Sequence, residues 1–177
     1  MVARTDPDAP TRADFHAAIA ARADRWYAAC LSITRNRDLA EDALQDALLS
    51  AWDKRRQFDR GARLDTWIHR IVINAALQAL RRQHPGRFSS LDADVPDESG
   101  GPEASCYAEE LNTGLESALG RLSETERICF VLKHLEQWRL QEIADELGSN
   151  VGTVKQAIFR AVRKLRDRMS LLQRAEP

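Results

Sequence analysis

The sequence predicts an all-α protein made of two small helical domains joined by a flexible acidic linker. Apolar residues recur at spacings of three and four on both sides of residues 84–110, and we find no convincing strand pattern. Only 8 Gly and 6 Pro occur in 177 residues, which argues against a turn-rich β-sandwich or barrel. A hydrophobic content of 44% supports folded cores. We place the domains at residues 1–83 and 111–177, with the linker at 84–110.

Three helices are predicted in the first domain. The first spans about Arg12 to Thr34, and the second follows Asn36 with Asp38 as its cap. The third begins near Asp65 or Thr66 and ends near Gln83, before a Pro-Gly pair. The second helix is expected to pack through one apolar stripe formed by Ala40, Leu44, Ala47, Leu48, Ala51 and Trp52.

The second domain contains the pattern of a helix-turn-helix. A helix marked by Leu111, Leu115 and Leu119 comes first, and Ser123 with Glu126 forms a capping box that opens another helix to about Glu136. A short helix at 140–147, a break at Gly148 and a long helix from about 151 to 172 follow. The side chains expected to face inward are Ile143, Ala144, Leu147, Val151, Val154 and Ile158.

The whole-chain net charge of −1 hides an uneven distribution. The net charge is +3 over residues 1–83, −6 over 84–110 and +2 over 111–177. Residues 151–174 carry seven Lys or Arg against the single Asp167, enough to neutralise several phosphates. Such a face can also be a solvated surface, but on a helix-turn-helix it predicts DNA binding. The outward positions near the start of this helix are Gly152, Thr153, Lys155, Gln156, Phe159 and Arg160.

Catalytic, metal-binding and membrane functions find little support. The three Cys residues are far apart without Cys-x-x-Cys spacing, so neither a disulfide framework nor a zinc site is expected, and no cofactor is implied. No nucleophile–base pair or phosphate loop is present, so we predict a non-enzyme. The polar first residues lack a signal peptide, and the longest apolar run, 71–77, is far short of the ~20 residues of a membrane span. We therefore predict a cytoplasmic protein without membrane insertion.

Two polar faces in the first domain have open interpretations. The acidic stripe of the second helix is either a solvated face or a surface for an Arg-rich partner. On the third helix, Trp67 suits either core packing or stacking on bases, and Arg81 with Arg82 suits either DNA or the negative end of the helix dipole.

Four segments, at 39–52, 64–82, 119–138 and 140–166, resemble in order the conserved regions of extracytoplasmic-function sigma factors. These form the small group of the bacterial sigma-70 family that has regions 2 and 4 only. The resemblance implies a non-enzymatic initiation subunit that binds core RNA polymerase and promoter DNA, and that helps to melt the −10 element. It also implies that an anti-sigma factor can hold the protein, and that the acidic linker threads along a basic channel of the polymerase.

The resemblance implies three sets of site residues in this chain, each taken from the matching motifs. The core-polymerase set, which would grip the β′ coiled coil, is Glu41, Asp42, Gln45 and Asp46. The −10 set follows regions 2.3 and 2.4 and comprises Arg63, Trp67, Arg70, Asn74, Arg81 and Arg82. Region 4 would dock on the β flap and read the −35 element with Thr153, Lys155, Gln156, Phe159, Arg160, Arg163 and Lys164. This chain has Gln156-Ala157-Ile158-Phe159 where family members commonly carry Ser-Arg-Leu-His.

Two other classes of protein are compatible with parts of the pattern. A helix-turn-helix regulator that is not a polymerase subunit would need an N-terminal sensory domain, commonly α/β, which the strandless first block does not supply. A decoy that only sequesters a regulator would need a weakened region 2.2 or region 4, and both motifs are largely intact.

Overall fold

The computed structural model describes residues 9–59, 61–83 and 117–175, without the side chains of 168–175. Within those residues it has six α-helices, a further helical stretch at 117–119 and no strand, which confirms the predicted all-α class. The chain divides into two compact units, Met1–Arg82 and Gln83–Pro177. The predicted linker and the positions of Leu111 and Leu115 lie outside the described residues.

Unit 1 contains α1 (Arg12–Thr34), α2 (Arg37–Asp53) and α3 (Leu64–Gln83), with a 3-10 turn at Arg55–Gln57. A capping box opens α1: the N–H of Thr11 donates to Asp14 Oδ2 at 2.8 Å, and the N–H of Asp14 donates to Thr11 Oγ1 at 3.2 Å. The helix ends where Arg35 adopts a left-handed conformation, φ 53°. This residue separates α1 from α2.

The cap of α2 is Asn36, so the prediction of Asp38 is wrong. The Asn36 side-chain oxygen accepts the N–H of Leu39 at 3.0 Å from an extended backbone, as an N-cap requires. Asp38 lies inside the first turn, where its carboxylate interacts favourably with the helix dipole.

Small residues form the buried face of α2, which packs against α1. That face consists of Ala40, Ala43, Ala47 and Ala51, while Leu44, Leu48 and Trp52 of the predicted stripe are only half-buried. Alanines let the two helix axes approach closely, and the larger side chains therefore lie along the flanks of the contact. On α3 the buried face is formed by Ile68, Val72, Ile73, Ala76, Leu77 and Leu80.

Unit 2 contains α4 (Glu124–Phe130), a π-helical turn at Val131–Leu135, α5 (Leu140–Glu146) and α6 (Val151–Ala175). The predicted capping box is confirmed, because Ser123 N–H donates to Glu126 Oε2 at 3.0 Å and Glu126 N–H donates to Ser123 Oγ at 3.3 Å. Helix α6 packs against both α4 and α5.

The turn between α5 and α6 matches the predicted helix-turn-helix. Gly148 has φ 61°, the left-handed conformation that favours glycine, and Ser149 N–H donates to the carbonyl of Ala144 at 2.8 Å. The Asn150 side chain then caps α6 by accepting the N–H of Thr153 at 2.9 Å. The buried face of α6 is Val154, Ala157 and Ala161, whereas Val151 and Ile158, predicted to face inward, are half-buried.

Candidate functional site

The acidic face of α2 is exposed along its whole length. Glu41, Asp42, Gln45 and Asp46 are all exposed, and the alanine face on the other side of the helix is buried. Asp46 Oδ2 lies 3.9 Å from Arg82 Nη1 of α3. This face offers three carboxylates and an amide to a partner.

Leu49 is an exposed apolar residue beside the acidic face that the sequence analysis missed. It follows Gln45 by four positions and Asp46 by three, which places it next to both on the helix surface. Its exposed fraction is 66%, whereas Leu44 and Leu48 are half-buried. A leucine exposed next to carboxylates is suited to the centre of a protein interface with a charged rim.

The start of α3 is organised around Asp65. Its carboxylate accepts hydrogen bonds from Arg63 Nε at 3.0 Å, Arg63 Nη2 at 3.1 Å and Arg22 Nε at 3.3 Å. The hydrogen bond from Arg63 is the main cause that lowers the pKa of Asp65 below its usual value. Arg63 is therefore exposed yet held in one place by its neighbour.

Next to this cluster, Trp67 packs on Phe58. The two ring centroids are 5.5 Å apart and the rings are tilted by 59°. Both side chains are half-buried, so Trp67 takes part in local packing and still presents part of its ring. Both alternatives for Trp67, packing and stacking, are thus compatible with its position.

A cleft of about 690 Å³ lies between the first half of α1 and the loop that precedes α3. Its α1 side is formed by three alanines with one acidic and one basic residue, and its loop side carries one aromatic ring and one cation. The principal lining residues are Ala17, Ala18, Ala21, Arg22, Phe58 and Arg63. Arg63 is the only member of the predicted −10 set among the lining residues of this cleft.

The remaining −10 residues follow α3. Arg70 and Arg82 are exposed, and Asn74 and Arg81 are half-buried. The Oδ1 atom of Asn74 is buried without a hydrogen-bond partner in the described part of the chain. A buried acceptor without a donor lowers the stability of the fold. Arg81 and Arg82 occupy the last turn of α3, where they also favour the helix dipole.

Helix α6 presents most of the predicted −35 residues to solvent. Lys155, Gln156, Phe159 and Arg163 are exposed, and Thr153 and Arg160 are half-buried. Phe159 is 70% exposed, a large fraction for an aromatic residue on a folded helix. The structure thus brings a cation, an amide and an aromatic ring together on the first three turns of one exposed helix face.

A groove of about 710 Å³ runs beside this face, between α6 and the chain around the π-helical turn. Its lining combines apolar side chains with mostly cationic ones, and Asp167 is its acidic member. The lining residues are Lys133, His134, Leu140, Lys155, Ile158, Phe159, Val162, Arg163, Arg166 and Asp167.

Lys164 is placed differently from the other predicted −35 residues. Its Nζ donates to both carboxylate oxygens of Glu126 on α4, at 2.8 and 3.0 Å. Glu126 is buried, and its Oε1 also lies 4.0 Å from Arg160 Nε. Sequence reasoning identified Glu126 only as a capping residue, because pairing with α6 depends on how α4 and α6 pack.

Among the described residues, no group of His, Cys, Asp and Glu could hold a metal ion. Cys30 and Cys129 are buried free thiols, and burial raises the pKa of Cys129 to about 12. A search of the described helices finds none whose length and apolar character would suffice to cross a membrane.

Comparison with known families and proteins finds a match in each half of the chain. The family model described as sigma-70 region 2 matches residues 19–85, and that described as sigma-70, region 4 matches residues 113–165. The chain is 29% identical over 158 residues to the ECF RNA polymerase sigma factor SigW of Bacillus subtilis, covering 82% of this chain and 83% of SigW. It is 32% identical over 142 residues to the RNA polymerase sigma factor CarQ of Myxococcus xanthus, covering 80% of each.

A longer relative and a solved structure extend the comparison. The match to the ECF RNA polymerase sigma factor SigE of Mycolicibacterium smegmatis is 32% identical over 82% of this chain, but spans only 57% of SigE. The fold is similar to that of the sigma factor RpoE in its co-crystal structure with the anti-sigma factor NepR from Bartonella quintana. That similarity has a TM-score of 0.61 and 26% identity, and it covers 89% of this chain and 97% of that one.

The fold and the exposed cationic helix-turn-helix define a helical DNA-binding protein of two units. The chain belongs to the extracytoplasmic-function sigma factors of the sigma-70 family, and it is an RNA polymerase sigma factor. The alternative of a regulator with an N-terminal sensory domain is not favoured, because unit 1 itself matches sigma-70 region 2.

Proposed function

We propose that this sigma factor binds core RNA polymerase and promoter DNA through three separate surfaces on its helices. The observation that carries the proposal is the occurrence of regions 2 and 4, in order, on units that expose an acidic helix face and a cationic helix-turn-helix. The protein acts without chemistry of its own, as an initiation subunit in the cytoplasm. We place region 2 at residues 1–83, the linker at 84–110 and region 4 at 111–177.

The polymerase surface is the acidic face of α2. Glu41, Asp42, Gln45 and Asp46 are all exposed and contact the β′ coiled coil, where carboxylates pair with basic side chains. Leu49 adds an apolar contact beside them. Unit 2 provides a second attachment by docking on the β flap.

The −10 surface is the loop before α3 together with one face of that helix. Arg63, Arg70, Arg81 and Arg82 contact phosphates, and the exposed part of Trp67 stacks on DNA. Asn74 is half-buried on α3, and its amide suits a base that is turned out of the stack during melting.

The −35 surface is the exposed face of α6, with Thr153, Lys155, Gln156, Phe159, Arg160 and Arg163 entering the major groove. Gln156 suits an adenine edge, Phe159 a thymine methyl group, and Arg160 a guanine. Lys155 and Arg163 suit phosphates.

An anti-sigma factor is a further partner of this chain. Support comes from the similarity to RpoE of Bartonella quintana, which was crystallised with an anti-sigma factor. Such a partner would restrain the sigma factor by covering surfaces that polymerase or DNA otherwise occupies.

Reconstituted transcription tests the proposal. Core RNA polymerase, this chain and a library of DNA templates with randomised upstream sequence are combined, and transcript starts are mapped. We expect starts downstream of one shared pair of sequence elements with the complete mixture, and none from core polymerase or the chain alone. A chain that fails to co-purify with core polymerase would refute the proposal.

A further inference from the structure

We propose that Glu126 is a positioning residue for α6: it holds Arg160 in place for the −35 element and removes Lys164 from the phosphate contacts. This inference rests on the proposed binding of the −35 element by α6. It assigns to a residue of α4 an effect on DNA recognition, although Glu126 itself touches no DNA.

The geometry brings one buried carboxylate against two cations of α6. Glu126 lies in the first turn of α4, and only 2% of its side chain is exposed. Its oxygens accept from Lys164 Nζ at 2.8 and 3.0 Å, and Oε2 also accepts Ser123 N–H at 3.0 Å. Arg160 Nε lies 4.0 Å from Oε1. Arg160 and Lys164 are four residues apart, so they lie on the same side of α6.

The charge of Lys164 is compensated by Glu126, although 47% of the lysine side chain is exposed. A buried carboxylate is stable only when a cation or several donors compensate it, and Lys164 supplies the two shortest contacts of Glu126 to another helix. A lysine whose charge is compensated in this way adds nothing to the release of counterions when DNA binds. Lys155 and Arg163 are also exposed on α6, and neither forms an ion pair with another described residue, so their charges can meet phosphates.

Arg160 has a buried Nε atom and an exposed part. The Nε atom lies 4.0 Å from Glu126 Oε1, an electrostatic contact and not a hydrogen bond, while 42% of the side chain remains exposed. Because a guanidinium is planar and rigid, holding the Nε side sets the plane in which the other nitrogens meet a base. Bidentate contact with guanine depends on that plane, so Glu126 affects base discrimination through Arg160.

The test uses the holoenzyme with two duplex promoters that differ only in the −35 element. One promoter carries the −35 element found with the wild-type protein in the reconstituted transcription experiment, and the other carries a scrambled element. Binding is measured over a range of salt concentrations for wild type, Glu126→Gln, Glu126→Asp, Lys164→Gln and Arg163→Gln. Glu142→Gln is the matched control, because Glu142 occupies the same capping position on α5 and accepts the N–H of Arg139 at 2.9 Å.

The proposal predicts that Arg163→Gln and Glu126→Gln change the salt dependence of DNA binding in opposite directions. Arg163→Gln flattens the slope of log K against log salt by about 0.9, the loss of one phosphate contact, and Lys164→Gln leaves the slope nearly unchanged. Glu126→Gln frees Lys164, so it steepens the slope by up to ~0.9. The same variant lowers the preference for the cognate element roughly fivefold or more, and Glu126→Asp restores part of it. Glu142→Gln changes neither quantity.

Two outcomes would overturn the inference. The first is a slope for Lys164→Gln that flattens as much as for Arg163→Gln. The second is an equal loss of affinity for cognate and scrambled elements in Glu126→Gln, which indicates a purely structural role. If Glu126→Gln does not fold, as judged by circular dichroism, the comparison of Lys164→Gln with Arg163→Gln decides alone. A wild-type holoenzyme without preference for any −35 sequence would instead refute the proposed function itself.

Discussion

Arg82 Nη1 of α3 lies 3.9 Å from Asp46 Oδ2 of α2, so a residue assigned to promoter DNA pairs with a residue assigned to the polymerase. Both side chains are largely exposed, and pairs of this kind contribute about 0.2–1 kcal/mol to stability. The pair therefore does not hold unit 1 together. It does show that the two proposed surfaces meet at the end of α3, and it affects how variants of Asp46 are interpreted.

Charge reversal on α2 is expected to weaken binding to core polymerase while the fold stays intact. Asp42→Lys should lower the affinity roughly tenfold, because a carboxylate that meets basic side chains is replaced by a cation. Asp46→Lys should lower it further and also repel Arg82. Competition against a labelled sigma factor for core polymerase measures both effects. Asp24→Lys, an exposed reversal on α1, is the control, and unfolding of unit 1 by Asp42→Lys would contradict the assignment.

Leu49 offers a test of the polymerase surface without a change of charge. Leu49→Ala should reduce the affinity for core polymerase several-fold, because apolar area at an interface centre is lost. The free energy of unfolding should change by less than about 0.5 kcal/mol, since the side chain is 66% exposed. Ala47→Leu, on the buried face of the same helix, should instead destabilise unit 1. Unchanged binding of Leu49→Ala in the competition assay would remove this residue from the interface.

The sequence predicted the elements better than it predicted their contacts. The capping box of Ser123 and Glu126 and the turn at Gly148 depend on residues close in the chain, and both are found as predicted. The buried face of α2 was predicted to include leucines, yet it is formed by alanines, because the approach of α1 selects small side chains. Periodicity identifies an apolar stripe, but not which of its edges a neighbouring helix covers.

The same limit applies to the candidate site. The acidic face of α2 and the exposed cations of α6 could be identified from spacing alone, because each set lies within a single helix. The pairing of Lys164 with Glu126 could not, since the two residues are 38 positions apart and meet only when α4 packs on α6. From the sequence alone, Lys164 was therefore placed among the residues that bind DNA.

Gly148 is expected to be required for its backbone conformation alone. Its φ of 61° is left-handed, and a Cβ at this position would meet no atom within 4 Å. Gly148→Ala should therefore destabilise unit 2 by about 1 kcal/mol through backbone strain without a steric clash. Gly148→Asn should cost less, because asparagine tolerates this region better. Denaturant melts compare the two, and equal stability of the alanine variant and wild type would contradict the strained turn.

The carboxylate of Asp65 is expected to make unit 1 less stable in acid. Hydrogen bonds from Arg63 lower its folded-state pKa below that of the unfolded chain, so its contribution to stability is present above the unfolded value of about 3.9. That contribution is lost as the pH falls through the lower folded value. Titration of the Asp65 carboxyl carbon by NMR should show a midpoint below 3.9 in wild type, rising towards it in Arg63→Gln. Arg70→Gln, on the same helix but not a cause of the shift, should leave the midpoint unchanged. An Asp65 midpoint that does not move in Arg63→Gln would show that this ion pair does not form in solution.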